Sequence, residues 1–393
     1  GDHLEELGGD GSVSWEKTTI GEHCTVTSSK RFHLSDRTNC GVPFYCSKEI
    51  IQKVKSEEID NCDYISEEFY EAVAQKYGVP QENDLLVTTR GTIGVPYLYK
   101  KSDRFYFADG NLTWMKDFQS TLLPQYLYYW FLSHEGQSKI DSIAKGTAQK
   151  AVPIAGIKTL ELLLPPIEIQ CRIADILSAY DDLIENNRKQ IKLLEEAAQR
   201  LYQEWFVDLR FPGHEHTKIV DGVPEGWEKR LLGDVVEVKY GKDHKSIPDG
   251  LIPVYGSGGF MRKCNQVIYD GESVLIPRKG SLNNIIYVDE AFWTVDTMFY
   301  TKMKLPDIGI FVYFFVKSFD MYSMNIGAAV PSMTTNILNA LDIIIPNNDV
   351  LGQFQSVSKN FFNKIALLHK QIETATQARD RLLPKLMNGE VEV

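Results

Sequence analysis

Leu160-Glu161-Leu162-Leu163-Leu164-Pro165 recurs as Leu341-Asp342-Ile343-Ile344-Ile345-Pro346, 181 residues further along the chain. The same offset pairs Lys189-Gln190-Ile191 with Lys370-Gln371-Ile372. Each copy of the first motif is a short β-prone run that stops at proline, and a long segment of helical periodicity follows it. The matches predict a chain built from two copies of one unit, a β-rich globular domain followed by a long helix.

Earlier matches show where the two copies differ in length. Trp15-Glu16-Lys17 matches Trp227-Glu228-Lys229 at an offset of 212, and Asp84–Arg90 matches Glu272–Arg278 at an offset of 188. Because the offset falls before the repeated proline and is constant after it, insertions lie inside the first globular domain. The helices are predicted to have a fixed length.

The globular domains are predicted to consist mainly of short strands. Residues 85–89 and 273–276 are β-prone runs followed by glycine turns. One helix is predicted near residues 125–140, with a counterpart near 310–324. A closing strand at 160–164 or 341–345 ends each domain.

The segments after the prolines have apolar residues at alternating spacings of four and three, which is typical of a coiled-coil seam. Asn187 lies in this seam, where it either fixes the register of the pair or is an ordinary, partly exposed polar residue. The predicted seam residues are Ile173, Leu177, Tyr180, Ile184, Asn187, Ile191, Leu194, Ala198, Leu201 and Trp205 in the first helix, and Phe354, Ser358, Phe361, Ile365, Leu368, Ile372, Ala375, Arg379, Leu382 and Leu386 in the second.

The two helices are each other's most direct partners, because the chain must return through the second domain before it forms the second helix. The predicted fold is therefore α+β, with two β-rich domains separated by an antiparallel intramolecular coiled coil in a pseudo-twofold internal repeat. Two alternatives are that each helix packs on its own domain, or that helices pair between chains. The predicted segments are a lead-in or tag remnant (1–14), a globular domain (15–166), a helix (167–210), a linker (211–226), a second globular domain (227–346), a second helix (347–388) and a tail (389–393).

Composition is typical of a soluble globular protein, with 43% hydrophobic and 24% charged residues. No apolar run reaches the roughly 18–20 residues of a membrane span. The six cysteines form no C-x-x-C pair, so free thiols and a reducing, cytoplasmic location are expected. The net charge of −11 argues mildly against nucleic acid. Residues 227–345, with 12 basic and 13 acidic side chains, are nearly neutral and leave room for a local basic face.

A search for catalytic motifs is negative. The sequence has no P-loop, no H-E-x-x-H, no G-x-S-x-G elbow and no Asn/Asp-Pro-Pro-aromatic motif of amino-methyltransferases. His214 and His216 lie in a segment with Pro and Gly and are predicted to be solvated, so no metal site is expected. The chain is expected to have no catalytic residues.

The order of these features resembles the specificity subunit of type I restriction-modification systems. The resemblance rests on residues 146–150 (GTAQK), on 162–170 (LLLPPIEIQ), and on 381–390 (RLLPKLMNGE), together with the duplication that runs from Trp15. The second copy departs from the pattern, since Val330 stands where Gln149 is expected and Asn347 where Pro166 is.

The resemblance implies that each globular domain is a target recognition domain that reads one half of a bipartite, asymmetric DNA sequence. The helices would set the spacer between the halves. Two methyltransferase subunits would bind S-adenosylmethionine and modify adenine, and two translocase-nuclease subunits would use ATP with magnesium. No cofactor is expected on this chain.

Candidate DNA contacts are the loops that occur at matching places in both copies. Base reading needs forked donors and acceptors, and arginine is the commonest bidentate reader of guanine. A solvated turn is the alternative interpretation of each loop. The predicted residues are Tyr45, Ser47, Arg90, Thr92, Lys145, Thr147, Gln149, Lys150, Tyr255, Ser257, Arg262, Lys263, Arg278, Lys279, Ser281 and Ser332.

A rival interpretation from another class is a non-catalytic coiled-coil scaffold with two protein- or glycan-binding domains. The acidic net charge favours it slightly. Salt-dependent DNA binding separates the two interpretations.

Overall fold

The computed structural model describes residues 15–146, 150–324 and 332–393. It combines short strands with two long helices, so the α+β class is confirmed. The chain forms two compact units. The first unit comprises residues up to 185 together with 372–393, and the second comprises residues 186–371. Each unit therefore contains one globular domain and one segment of both long helices.

Ten strands and seven α-helices are described up to the end of the first long helix. They are β1 Glu16–Thr19, α1 Ile20–His23, β2 Thr25–Thr27, β3 Arg37–Thr38, β4 Val42–Tyr45, α2 Ser47–Val54, β5 Asp63–Ile65, α3 Glu67–Tyr77, β6 Leu85–Thr88, β7 Pro96–Leu98, β8 Tyr106–Phe107, β9 Leu112–Lys116, α4 Pro124–Leu132, α5 His134–Ile143, α6 Ile154–Lys158, β10 Glu161–Leu164 and α7 Ile167–Tyr202.

The rest of the described chain includes the second domain, which again begins with a strand and a short helix and ends with a strand that leads into a long helix. Its elements are β11 Ile219–Val220, β12 Val223–Pro224, β13 Glu228–Leu231, α8 Leu232–Val235, β14 Val236–Tyr240, β15 Ile252–Gly256, β16 Gly259–Cys264, β17 Tyr269–Pro277, β18 Ile286–Thr294, β19 Met298–Met303, α9 Gly309–Lys317, α10 Thr335–Asn339, β20 Asp342–Ile345 and α11 Asn348–Met387.

The sheets of the two domains differ in strand order but share a parallel strand pair. The first domain has sheets in the orders β2-β9-β6-β7 and β3-β5-β4-β8, and the second has one sheet in the order β14-β19-β17-β18-β15-β16. Each domain contains one parallel pair, β4 with β8 and β15 with β18. The carbonyls of Tyr45 and Tyr255 accept equivalent backbone hydrogen bonds beside these pairs, from Ala108 at 2.9 Å and Val295 at 3.1 Å.

The first and last strands of each domain form what we call the closing strand pair, β1 with β10 and β13 with β20. Glu16 lies opposite Leu164 in the first pair, and Glu228 lies opposite Ile345 in the second. These are the residues that the sequence repeat matches, so the register of the pair is the same in both copies. The predicted closing strands are thereby confirmed.

A duplicated glycine lets the short helix after each first strand approach its neighbour closely. A Cβ on Gly21 would lie 2.9 Å from the carbonyl oxygen of Lys158 on α6, and one on Gly233 would lie 3.0 Å from Cβ of Asn339 on α10. Both distances are shorter than ordinary contacts, so a larger residue would push the two helices apart.

The helix predicted near residues 125–140 is wrong in detail, because the chain breaks there into α4 and α5. Ser133 has an extended backbone and its hydroxyl accepts a hydrogen bond from Gly136 N at 3.1 Å, which caps α5. A Cβ on Gly136 would lie 2.1 Å from the carbonyl oxygen of Trp130. The predicted counterpart near 310–324 is also too long, since α9 ends at Lys317.

The segment 211–226, predicted to be a linker, is partly ordered against the second unit. Phe211 is buried and its ring lies 4.8 Å from that of Trp227, with Val350 in the same cluster. His214 Nδ1 donates to the Phe211 carbonyl of its own turn at 2.9 Å, and among the described residues it belongs to no group of three side chains able to hold a metal ion.

Each globular core includes side chains from the long helices. In the first unit, Tyr126 and Trp130 on α4 share a cluster with Ile173 and Leu386. In the second unit, Phe354 is fully buried, with ring centroids of Tyr202 and Phe206 at 6.3 and 4.8 Å. Removing a ring buried to this degree costs about 3–5 kcal/mol in other proteins. The long helices are therefore part of both cores.

The start of α7 is fixed to the first domain by one buried side chain. Gln170 is fully buried, and its amide nitrogen donates to the carbonyls of Thr121 at 2.9 Å and Pro165 at 2.8 Å. Its amide oxygen accepts from Leu123 N at 2.9 Å, beside the first turn of α4. The three bonds satisfy this amide in the core and set the direction in which α7 leaves the domain.

Segments of α7 and α11 run antiparallel within each unit. In the first unit Arg379 bonds Asp181 at 2.6 Å, while the later residue Leu386 lies in a cluster with the earlier residue Ile173. In the second unit Asn187 donates to Gln371 at 3.3 Å, while Phe354 packs against Tyr202.

All the predicted seam residues from Ile173 to Trp205 and from Phe354 to Leu386 are buried or half-buried. Asn187 is 2% exposed, so it is a buried, bonded residue; its role in register stays a prediction.

We expect Asp181→Asn to lower the free energy of unfolding by about 1–3 kcal/mol, because Asp181 accepts from both Arg379 at 2.6 Å and the Tyr129 hydroxyl at 2.7 Å. The urea midpoint measures this effect. Asp182→Asn, one residue further on and exposed, is the matched control. Equal midpoints for the two variants would show that the Asp181 bonds contribute nothing to stability.

Candidate nucleic-acid interface

In the first domain, backbone pairing brings two of the predicted loops together. Val152 N donates to the Thr89 carbonyl at 2.9 Å, and Lys145 and Ala151 exchange two bonds of 2.8 Å. Arg90 lies opposite Ala151 in an isolated bridge. We call residues 89–92, 145–146 and 150–152 the first loop pair.

The first loop pair presents basic side chains at the surface. Arg90, Lys145 and Lys150 are all exposed, and Lys150 pairs with Asp141 at 2.8 Å. Thr92 is exposed as well, and its carbonyl accepts from the Thr88 hydroxyl at 2.7 Å. Thr147 and Gln149, which were also predicted to contact DNA, lie outside the described residues. The described part supplies donors suited to phosphate or guanine.

The second domain has an equivalent second loop pair, residues 278–281 and 332–333. Met333 N donates to the Arg278 carbonyl at 2.9 Å, and Lys279 lies opposite Ser332. These bonds repeat those of Thr89 and Arg90 in the first loop pair. The structural equivalent of Arg90 is therefore Lys279 and not Arg278, one residue further along than the sequence match indicates.

This equivalence changes which basic side chain lies at the exposed position of the second loop pair. Arg278 is half-buried, donates to the Asp296 carbonyl at 3.1 Å and lies 5.3 Å above the centre of the Tyr240 ring. Lys279 is exposed. Ser281 is exposed too, and occupies the place that Thr92 has in the first loop pair. Tyr240 was not predicted as a site residue, because the sequence shows it only as an aromatic residue before Gly241, with no motif around it.

Tyr45 and Ser47 are less accessible than a DNA contact requires. Tyr45 is half-buried with its ring 4.7 Å from Phe105, and burial raises the pKa of its phenol to about 12. Ser47 is buried at the first turn of α2, and its hydroxyl donates to the Asn111 carbonyl at 3.0 Å. Both side chains contribute to packing, which argues against the prediction.

Tyr255 and Ser257 sit nearer the second loop pair. The Tyr255 hydroxyl donates to Glu290 at 2.9 Å, and burial followed by this carboxylate raises the pKa of the phenol. Asn284 donates to the Ser257 carbonyl at 2.9 Å, and a Cβ on Gly280 would lie 2.8 Å from Ser257 Oγ. Ser257 therefore stands against the second loop pair.

Arg262 is engaged within the domain and is not a free phosphate donor. Its guanidinium donates to the carbonyls of His244 at 2.5 Å and Ile247 at 2.8 Å, and to Asp249 at 2.8 Å. These bonds hold the segment between β14 and β15. Its neighbour Lys263 is exposed. The predicted phosphate contact by Arg262 therefore conflicts with its geometry.

The described part of the chain contains no group of three His, Cys, Asp or Glu residues able to hold a metal ion. No helix described in the structure has the length and apolar character that crossing a membrane requires.

Comparison with known proteins gives a consistent result. The model of the family described as "Type I restriction modification DNA specificity domain" matches residues 12–196 and 224–377. The specificity subunit of the type I restriction enzyme MjaIX from Methanocaldococcus jannaschii is 27% identical over 346 residues, covering 79% of this chain and 78% of that protein. The MjaVIII specificity subunit of the same organism is 23% identical over 417 residues, covering 96% and 93%.

The crystal structure of the type I restriction-modification S subunit from M. genitalium has a similar fold. It superposes with a TM-score of 0.64 at 19% identity and covers 97% of this chain and 98% of that one. This likeness concerns the fold alone.

We expect Arg262→Ala to lower the free energy of unfolding by about 2 kcal/mol, because it leaves the carbonyls of His244 and Ile247 without their donor. Thermal unfolding measures this effect. Lys263→Ala, the adjacent exposed basic residue, is the matched control. An unchanged melting temperature in Arg262→Ala would show that these bonds do not stabilise the domain, and the predicted phosphate contact by Arg262 would then agree with its geometry.

Proposed function

Since the chain belongs to the type I restriction-modification DNA specificity family, we propose that it is the non-catalytic subunit that selects the DNA target for enzymes carried on other chains. Each globular domain reads one half of a bipartite, asymmetric sequence in double-stranded DNA. One observation carries the proposal: two domains with the same closing strand pair present equivalent loop pairs with different basic side chains, Arg90 and Lys279.

The difference between those side chains supports two readers of different sequence. Arginine carries a planar fork that bonds guanine through two donors, whereas lysine is a point charge. Duplicated scaffolds that retain the position and change the side chain suit a protein whose halves recognise unlike sequences.

The long helices act as the spacer and as the docking element in this proposal. Their antiparallel segments form a coiled coil that relates the domains by a pseudo-twofold axis and sets the number of base pairs between the half-sites. Two methyltransferase subunits dock on the helices and supply S-adenosylmethionine chemistry. Two translocase-nuclease subunits, using ATP with magnesium, join for restriction.

The primary test is the methylated motif in DNA of a host with and without this chain. A bipartite motif that appears only with the chain supports the proposal. A salt-dependent specific affinity of the reconstituted methyltransferase complex for that motif separates a DNA reader from a protein- or glycan-binding scaffold.

We expect Arg278→Ala and Lys279→Ala to act differently on the complex. Arg278→Ala should weaken or relax one half-site by about 1–3 kcal/mol, through loss of a base-reading fork held over Tyr240. Lys279→Ala should reduce the slope of log affinity against log salt by about 1 and affect all sequences alike. Competition binding with half-site variants over a salt series measures both. Unchanged affinity and preference in Arg278→Ala would remove it from the interface.

Changing the length of the helices tests their role as a spacer. Deleting one heptad from α7 and one from the matching part of α11 keeps the seam in phase. Such a deletion should change the preferred spacer and leave both half-sites as they are. Methylome sequencing reads out all three quantities, and altered half-sites with an unaltered spacer would contradict the spacer role.

A further inference from the structure

The hairpin of β15 and β16 carries the most exposed aromatic side chain of the second domain's sheet. Phe260 is 58% exposed and Met261 is 51% exposed, on the edge strand of a six-stranded sheet. The core cluster beneath, which includes Val254 and Phe292, takes in neither side chain. Exposed apolar residues on an edge strand invite aggregation, so such a pair is usually covered by a partner.

The backbone around Phe260 leaves room for close approach. A Cβ placed on Gly258 or Gly259 would meet no atom within 4 Å, and Gly259 has a φ of +108°, which favours glycine. Met261 folds back over Gly256, where a Cβ would lie 2.5 Å from its sulfur. Phe260 follows this glycine turn, and its ring lies edge-on to that of Tyr255, with 6.4 Å between the ring centroids.

The hairpin tip is joined to the second loop pair. Ser257, the residue before the two glycines, packs against Gly280 and accepts a hydrogen bond from Asn284 through its carbonyl. The exposed Lys279 is adjacent to Gly280 in the chain. An apolar tip therefore stands beside a basic loop.

The surrounding charge favours a polyanion as the occupant. Residues 239–263 carry five basic and two acidic side chains, in a chain whose net charge is −11. Asp249 is paired with Arg262 and Lys239 is paired with Glu237, so Lys242, Lys245 and Lys263 carry the excess positive charge of this segment. An apolar tip flanked by cations is the arrangement with which DNA-distorting proteins unstack a base step while they hold the phosphates.

The first domain has no such tip at the equivalent place. Tyr45 and Tyr255 occupy matching positions, yet the chain after Tyr45 continues into α2, where Ile50 is fully buried. The apolar hairpin belongs to the second domain.

We propose that Phe260 is a wedge that inserts against one base step of the half-site read by the second domain and partly unstacks it. The proposal rests on the proposed DNA-reading function. It adds a recognition mode that depends on how easily a step deforms, in addition to hydrogen bonding by the second loop pair.

The test uses the full chain in complex with its methyltransferase subunits, on duplexes that carry the mapped methylated motif. 2-Aminopurine replaces one purine at a time in each half-site, leaving out the methylated adenine because methyltransferases flip their target base. The wild-type complex should raise the fluorescence at one step of one half-site only.

Phe260→Ala should abolish that rise and lower the affinity roughly ten- to hundredfold, with an unchanged salt slope because no charge is removed. Phe260→Trp should retain the rise, since a larger ring still unstacks the step. Leu251→Ala, which removes an apolar side chain that is 85% exposed in the same domain, is the matched control and should leave the signal unchanged. Equal melting temperatures show that all variants are folded.

Four outcomes overturn the wedge. A fluorescence rise that persists in Phe260→Ala, or the absence of any rise while specific binding is intact, removes the wedge and leaves the proposed function standing. Loss of methyltransferase binding by Phe260→Ala assigns the tip to that partner. A wild-type complex without sequence-specific binding overturns the proposed function and the wedge together.

Discussion

The closing strand pair holds the first and last strands of each globular domain side by side. Because β1 pairs with β10, and β13 with β20, in the same register, each domain begins and ends at one place. The long helix starts within a few residues of the last strand in both copies, at Ile167 and Asn348. The chain between the paired strands is a closed loop, and its length can change without moving the start of the helix. This constraint explains why the offset between the copies shifts inside the domains and is constant along the helices.

Buried polar groups then couple each domain to the long helices. In the first unit Asp181 receives bonds from α4 and α11, through Tyr129 and Arg379. In the second unit Glu272 of β17 accepts from Tyr287 at 2.6 Å and from Gln355 of α11 at 2.7 Å. Hydrophobic packing tolerates small slips of one helix against another, whereas a half-buried carboxylate that loses its donors is destabilised. The two networks use different residues for the same purpose, so the attachment is retained although its chemistry has diverged.

The repeat and the helical seam could be predicted from sequence because both depend on periodicity. The motifs that occur in the same order in both halves predicted the two copies. The spacing of the apolar residues predicted the buried face of each long helix, and all the residues assigned to the seam are buried or half-buried. The break between α4 and α5 at Ser133 was not predicted. The long apolar pattern indicates one continuous helix, whereas the signals for a break are only a capping serine and a close-packed glycine, Gly136. The local signal for it, Ser133 three residues before Gly136, is weak without the tertiary contact.

The loops were harder to predict, because side-chain identity and strand register can disagree. Matching Arg90 with Arg278 is the natural choice by residue type, yet the backbone bridges of Arg90 to Ala151 and of Lys279 to Ser332 make Lys279 the equivalent of Arg90. Arg262 was predicted as a phosphate contact from its charge, and the bonds from its guanidinium to His244 and Ile247 cannot be read from sequence. In both cases tertiary hydrogen bonds decide the role of a basic residue.

The two domains can diverge because the closing strand pair fixes both ends of each one. With the ends of each domain fixed, selection on the loops can act on one domain without disturbing the other or the helices. The first domain has Arg90 at the exposed position and a buried helix after Tyr45, while the second has Lys279 and an open hairpin carrying Phe260. In the proposed function, the exposed Arg90 suits direct reading of a base edge, and Lys279 beside an apolar tip adds reading of shape and deformability. On that proposal, the two copies of one scaffold are equipped for different modes of recognition.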